Sequence, residues 1–98
     1  MRDSREHRRV PFAADARVHN SSYEQGGSIA NLSLGGCFFA TETPSRRGAL
    51  LHISFYASGM VLRGNGVVRH VLPDSGMGIQ FSDVTPQFRA AISFLIQP

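Results

Sequence analysis

Residues 27–40 read Gly-Ser-Ile-Ala-Asn-Leu-Ser-Leu-Gly-Gly-Cys-Phe-Phe-Ala. The stretch divides into a strand over about 27–32, a tight polar connection over Asn31–Gly36, and a further strand starting at Gly36-Cys37-Phe38-Phe39-Ala40. Asn31 and Ser33 bring short, fixed donors and acceptors to a backbone bend. Gly36 removes a Cβ that would block close approach or forbid a positive φ. Such a turn either satisfies its own backbone, as Asx-type turns do, or holds a polar ligand.

Upstream, Phe12, Ala14, Ala16 and Val18 alternate with Asp15, Arg17 and His19, the pattern of a half-buried strand. Asn20–Gly27 is a cluster of turn formers between this strand and the next. Downstream, Thr41–Gly48 holds Pro44 and Arg46-Arg47 and predicts a loop. Ala49–Tyr56 predicts a strand with Leu51, Ile53 and Phe55 on one face, and Ala57-Ser-Gly59 turns the chain. Met60–Val71 supports two descriptions: a hairpin at Asn65-Gly66, or one long strand with a glycine bulge near Gly64–Gly66. Pro73–Gly76 is another turn, followed by a strand at Gly78–Phe81.

The period then changes. Phe88, Ala91, Ile92, Leu95 and Ile96 fall on one helical stripe. Thr85-Pro86 supplies an N-cap and a proline at the first helical position, so a helix is predicted over about 85–97. The fold class is all-β: a small barrel of about six antiparallel strands, with a C-terminal α-helix covering one opening or edge.

Its 98 residues make one domain, since halves would be too small to bury stable cores. The expected organisation is an arm over 1–9 and a barrel with its helix over 10–98. No apolar run approaches the roughly 18–20 residues that span a bilayer, and no apolar segment follows the charged N-terminus as in a signal peptide. The expectation is a cytoplasmic protein that does not insert into membranes. The single Cys37, in an apolar run, reads as a small buried hydrophobe. The four histidines lack metal-binding spacing, so no metal site is expected.

All ten basic residues are arginine. Arg2, Arg5, Arg8 and Arg9 lie in the first nine residues against Asp3 and Glu6, while the other six arginines face five acids. The arm is therefore a local anion attractor, expected to be flexible without a ligand because it has nothing apolar to bury. Guanidinium adds planar, bidentate donors and the ability to stack on aromatic faces.

Arg5-x-x-x-Arg9 opening into the first strand, followed by Asn31-x-Ser33-x-x-Gly36 between the second and third, resembles the PilZ domain family in order and spacing. Gly66-Val-Val-Arg69 and Gly76-Met-Gly78-Ile-Gln-Phe81 are similar to that family's later barrel strands. The resemblance covers essentially the whole chain and favours the single long strand over Met60–Val71. It implies a six-stranded barrel and a bacterial receptor for cyclic di-GMP, not an enzyme and without a cofactor. In that role Arg5 and Arg9 clamp the ligand through guanine edges, phosphate oxygens or a purine face. Arg8 adds a phosphate contact. Asn31 and Ser33 hydrogen-bond a guanine edge, Gly36 lets the base lie against the backbone, and Arg69 either stacks on guanine or is solvated. The family allows Asp or Asn at the Asn31 position, and Asn is the weaker acceptor. Arg46, Arg47 and Arg63 are assigned to solvent.

The implied partners are cyclic di-GMP and a downstream protein of motility, polysaccharide or virulence machinery, with the domain a monomer or weak dimer. Two alternatives remain: a PilZ-like scaffold that binds protein only, and a small basic nucleic-acid-binding barrel. The second is disfavoured because aromatics do not interleave with the basic residues as stacking platforms would. No carboxylate pair, supported Ser/His/Asp order or P-loop points to catalysis.

Overall fold

The computed structural model describes residues 9–97; Arg5 and Arg8 lie outside this range. Six strands and one helix follow in order: β1 (Val10–Asn20), β2 (Tyr23–Leu32), β3 (Gly36–Ala40), β4 (Leu50–Ala57), β5 (Met60–Leu72), β6 (Gly76–Ser82) and α1 (Pro86–Leu95). The strands close into an antiparallel barrel in the order β1-β2-β3-β6-β5-β4, which leaves no long sheet edge unpaired. The alternation seen in the sequence is the inside–outside alternation of the wall. Ala16, Val18, Leu51, Ile53 and Phe55 are buried, while Arg17, His19 and His52 face out.

Two readings differ most from the sequence expectation; smaller shifts carry β2 through Asn31 to Leu32 and start β6 at Gly76. The turn cluster over 20–27 shrinks to Ser21-Ser22, because Asn20 pairs with Tyr23 and β2 begins there. The Asn20 side chain accepts the Ser22 N–H at 2.9 Å and closes the turn. Gly26 and Gly27, which looked like turn residues, lie within β2; a Cβ at Gly27 would strike the Phe39 ring and the Ala40 carbonyl of β3. The second difference concerns β5. It is one strand of 13 residues, with no hairpin at Asn65-Gly66. Its bulge is not at Gly64–Gly66 but at Arg69, between the pairs Val68–Ile79 and His70–Gly78. The two glycines serve close packing instead: Gly64 lies under the Phe88 ring, and Gly66 under the Ile79 side chain.

The predicted turn after β4 is a two-residue hairpin with positive φ at both Ser58 (52°) and Gly59 (75°), matching the twist of the strands it joins. The Thr85 hydroxyl caps α1 by accepting the Phe88 N–H at 3.1 Å, with Pro86 following it. Phe88 and Ile92 turn inward, and the Phe88 ring meets Phe81 edge-on at 5.0 Å between centroids. Among the described residues no helix is long and apolar enough to cross a membrane.

Cys37 lies wholly within the core. Burial pushes its thiol up to about 12, and the positive charge of Arg9 only partly opposes this. The folded state therefore holds its proton where the unfolded state would release it, so stability through this group is lost as pH rises from about 9 toward about 12.

Two predictions follow from this packing. Phe88→Ala should cost about 3–5 kcal/mol, lowering the melting temperature by roughly 12 °C or more in a domain of this size; calorimetry checks it. Cys37 should resist an aromatic disulfide reagent at pH 8 in the native protein and react at once in guanidinium; fast labelling of native protein would contradict its burial.

Candidate functional site

The β2–β3 connection is organised by Ser33, only 3% exposed. Its hydroxyl accepts the N–H groups of Gly35 and Gly36, both at 3.1 Å, and donates to the Gly36 carbonyl at 3.3 Å. The Ser33 N–H donates to the same carbonyl at 2.9 Å. One donor and two acceptor sites are all a hydroxyl has, so in this conformation Ser33 is spent on the turn. Gly36 is also buried. A Cβ there would run into the Ile79 carbonyl oxygen, so the approach this glycine permits is that of β6.

Asn31 behaves differently. It is half-buried, one position before Leu32, whose side chain is in the core. Its Oδ1 accepts a hydrogen bond from Arg9 Nη1 at 2.6 Å, joining residues 22 apart in sequence. Guanidinium only donates, so the contact sets the Asn31 amide oxygen toward Arg9. Strand pairing explains the meeting: Pro11 stands opposite Asn31, and the irregularity between Pro11 and Ala14 bends β1 where the arm joins it. Arg9 and Asn31, members of separate motifs in the sequence, meet at this end of the barrel.

From Asn31 a row of outward positions runs across the wall. Asn31 pairs with Phe38, Phe38 with Gly78, and Gly78 with His70. The bulge at Arg69 lets Arg69 and His70, consecutive in the chain, both be exposed. Arg69 Nε donates to Gln80 Oε1 at 2.5 Å, which steadies the guanidinium against the wall. Phe38 and His70 belong to no motif, and Gln80 stands out only as part of the Gly76–Phe81 stretch. Only the strand register shows that they share a face with Asn31.

The remaining arginines sort by position. Arg46, Arg47 and Arg63 are exposed. Arg17 pairs with Glu24 at 2.7 Å, and its hydrogen bond and charge hold the Glu24 carboxyl below the usual range. This pair lies between β1 and β2, opposite Gly26 and not in the Asn31 row. Arg9 and Arg69 border that row: Arg9 bonds Asn31, and Arg69 precedes His70 at the bulge.

A family model described as "PilZ domain" matches residues 3–97. No curated protein matches the chain by sequence. Among solved structures, the chain is similar to the Bacillus subtilis inhibitor of motility, with 16% identity and a TM-score of 0.80 over 96% of this chain and 50% of that one. The chain thus spans about half the length of that protein. The PilZ domain of YcgR from Escherichia coli, solved with c-di-GMP, matches at 14% identity and a TM-score of 0.82, over 96% of this chain and 89% of that one. The MrkH–c-di-GMP complex of K. pneumonia matches at 20% identity and a TM-score of 0.81, over 96% and 51%. At these identities the structural likeness speaks to the fold, which agrees with the barrel described above. With the family model covering nearly every residue, the chain belongs to the PilZ domain family.

Proposed function

We propose that this chain is a bacterial second-messenger receptor that binds cyclic di-GMP at the Asn31 end of the barrel and is not an enzyme. The observation that carries the proposal is the Arg9–Asn31 hydrogen bond, which joins an arginine of the arm to the end of β2 that leads into the turn. Two structural relatives were solved with that ligand, and family membership makes it the leading candidate here.

In this proposal Arg9 and Arg5 clamp the dinucleotide, Arg8 adds a phosphate contact, and Asn31 meets a guanine edge. Arg69, already steadied by Gln80, lies against a base or phosphate. Ser33 and Gly36 take a different part from the direct contacts the motif suggests: they hold the turn against β6 so that Asn31 is presented at a fixed angle. The ligand competes with the Arg9–Asn31 contact, and binding exchanges it for contacts to the ligand from both residues. Fixing an arm residue's backbone costs on the order of 1–2 kcal/mol, which charge-assisted hydrogen bonds of about 1.5–3 kcal/mol each can offset. Ligand and arm together then change the surface met by a downstream protein of motility, polysaccharide or virulence machinery. The proposed setting is the cytoplasm, with the domain a monomer or weak dimer.

Calorimetric titration with cyclic di-GMP should give micromolar or tighter affinity for the wild type and no measurable binding for Arg9→Ala. Wild-type affinity retained in Arg9→Ala would overturn the clamp. A wild type that ignores the ligand at high micromolar concentration would favour a protein-only scaffold. Ser33→Ala should lower stability by about 1–3 kcal/mol, because it strands two backbone N–H groups, and weaken binding through the loosened turn. A loss of affinity with an unchanged melting temperature would instead mean that the hydroxyl contacts the ligand directly.

A further inference from the structure

We infer that Phe38 and His70 form a flat shelf on which purine bases of the ligand stack; the inference rests on the cyclic di-GMP proposal above. It begins with two glycines of β6. A side-chain carbon at Gly78 would run into the His70 imidazole, and one at Gly76 would lie 2.7 Å from Cε2 and Cζ of Phe38. Both rings therefore lie down over glycine backbone instead of standing away from the wall. His70 is exposed and Phe38 half-buried, so each ring is in reach from outside.

Position ties the shelf to the site. Phe38 is the direct cross-strand neighbour of Asn31, and His70 pairs with Gly78 one strand further on. Neighbouring strands are about 4.8 Å apart. A purine's two fused rings are longer than that spacing, so a base held at its edge by Asn31 extends its face over Phe38. The other base of a cyclic dinucleotide then has the imidazole as its nearest flat partner, with Arg69 beside it. The bulge makes this possible, because a regular strand would turn either Arg69 or His70 inward.

The division of labour bears on specificity. Asn31 reads a base edge and can tell guanine from adenine. The shelf reads only flatness and size, since every purine offers a π-face.

The test is calorimetry with cyclic di-GMP on wild type, His70→Ala, His70→Trp, Phe38→Leu, Gly78→Ala and the His70→Ala/Gly78→Ala double variant. His70→Ala and Phe38→Leu should each weaken binding by about tenfold, and His70→Trp should match or exceed wild type. Gly78→Ala should weaken binding by lifting the imidazole, and should add nothing in the His70→Ala background. His70 is exposed, so its variants report on the shelf even if Phe38→Leu or Gly78→Ala disturbs the barrel. Wild-type affinity in both His70→Ala and Phe38→Leu overturns the shelf while leaving the receptor proposal standing. A wild type that does not bind overturns the receptor proposal and the shelf with it.

Discussion

The Ser33 hydroxyl, closed on the backbone of Gly35 and Gly36, governs how this barrel presents its outer wall. It fixes the turn from β2 to β3, and Gly36 then meets Ile79 of β6 at a distance no side chain would permit. That meeting belongs to the β3–β6 pairing, in which Gly36 stands opposite Gln80 and Phe38 opposite Gly78. The alignment of Asn31, Phe38, Gly78 and His70 runs through the same pairing. Ser33 and Gly36 frame the residues beside them through these contacts. Buried polar groups are retained where their hydrogen bonds are complete, and among the described residues no buried side-chain polar atom lacks a partner.

Much of this architecture was legible from local pattern. The period-2 alternation of β1 and β4 and the helical stripe of α1 each follow from burial on one face. The Thr85-Pro86 cap follows from backbone donors at a helix start. What failed were the glycines and the bulge whose placement is set by a partner strand. Gly26-Gly27 read as a turn because glycine is common there, whereas Gly27 lies in mid-strand because Phe39 and the Ala40 carbonyl leave no room for a side chain. Gly64 and Gly66 suggested a bulge for the same reason, but their demand comes from Phe88 and Ile79. The true bulge, at Arg69, carries no glycine and leaves no local trace.

The site was legible in a similarly divided way. Asn31, Ser33, Gly36 and the arm arginines stood out as motifs, and Arg9 and Asn31 do meet. The division between a residue that faces outward and residues that support it could not be seen, since Asn31 and Ser33 are two positions apart and look alike as polar turn formers. Burial separates them, with Ser33 enclosed and Asn31 at the surface. That Phe38 and His70 share the wall with Asn31 was invisible, because cross-strand neighbours are set by register and not by spacing along the chain.

The choice of Asn over Asp at position 31 takes on a second meaning from its contact with Arg9. A carboxylate there would be the stronger partner for a guanine edge, but it would also turn the Arg9 contact into a charge-assisted pair of both signs. The ligand-free state would then be stabilised along with the bound one, and a ligand would have to break an ion pair before it gained the clamp. An amide weakens both interactions. It lowers the ceiling on affinity while leaving Arg9 easier to recruit, because only differential interaction between the two states moves a switch. Under the proposed function, Asn at this position favours exchange of the Arg9 contact as much as tight binding.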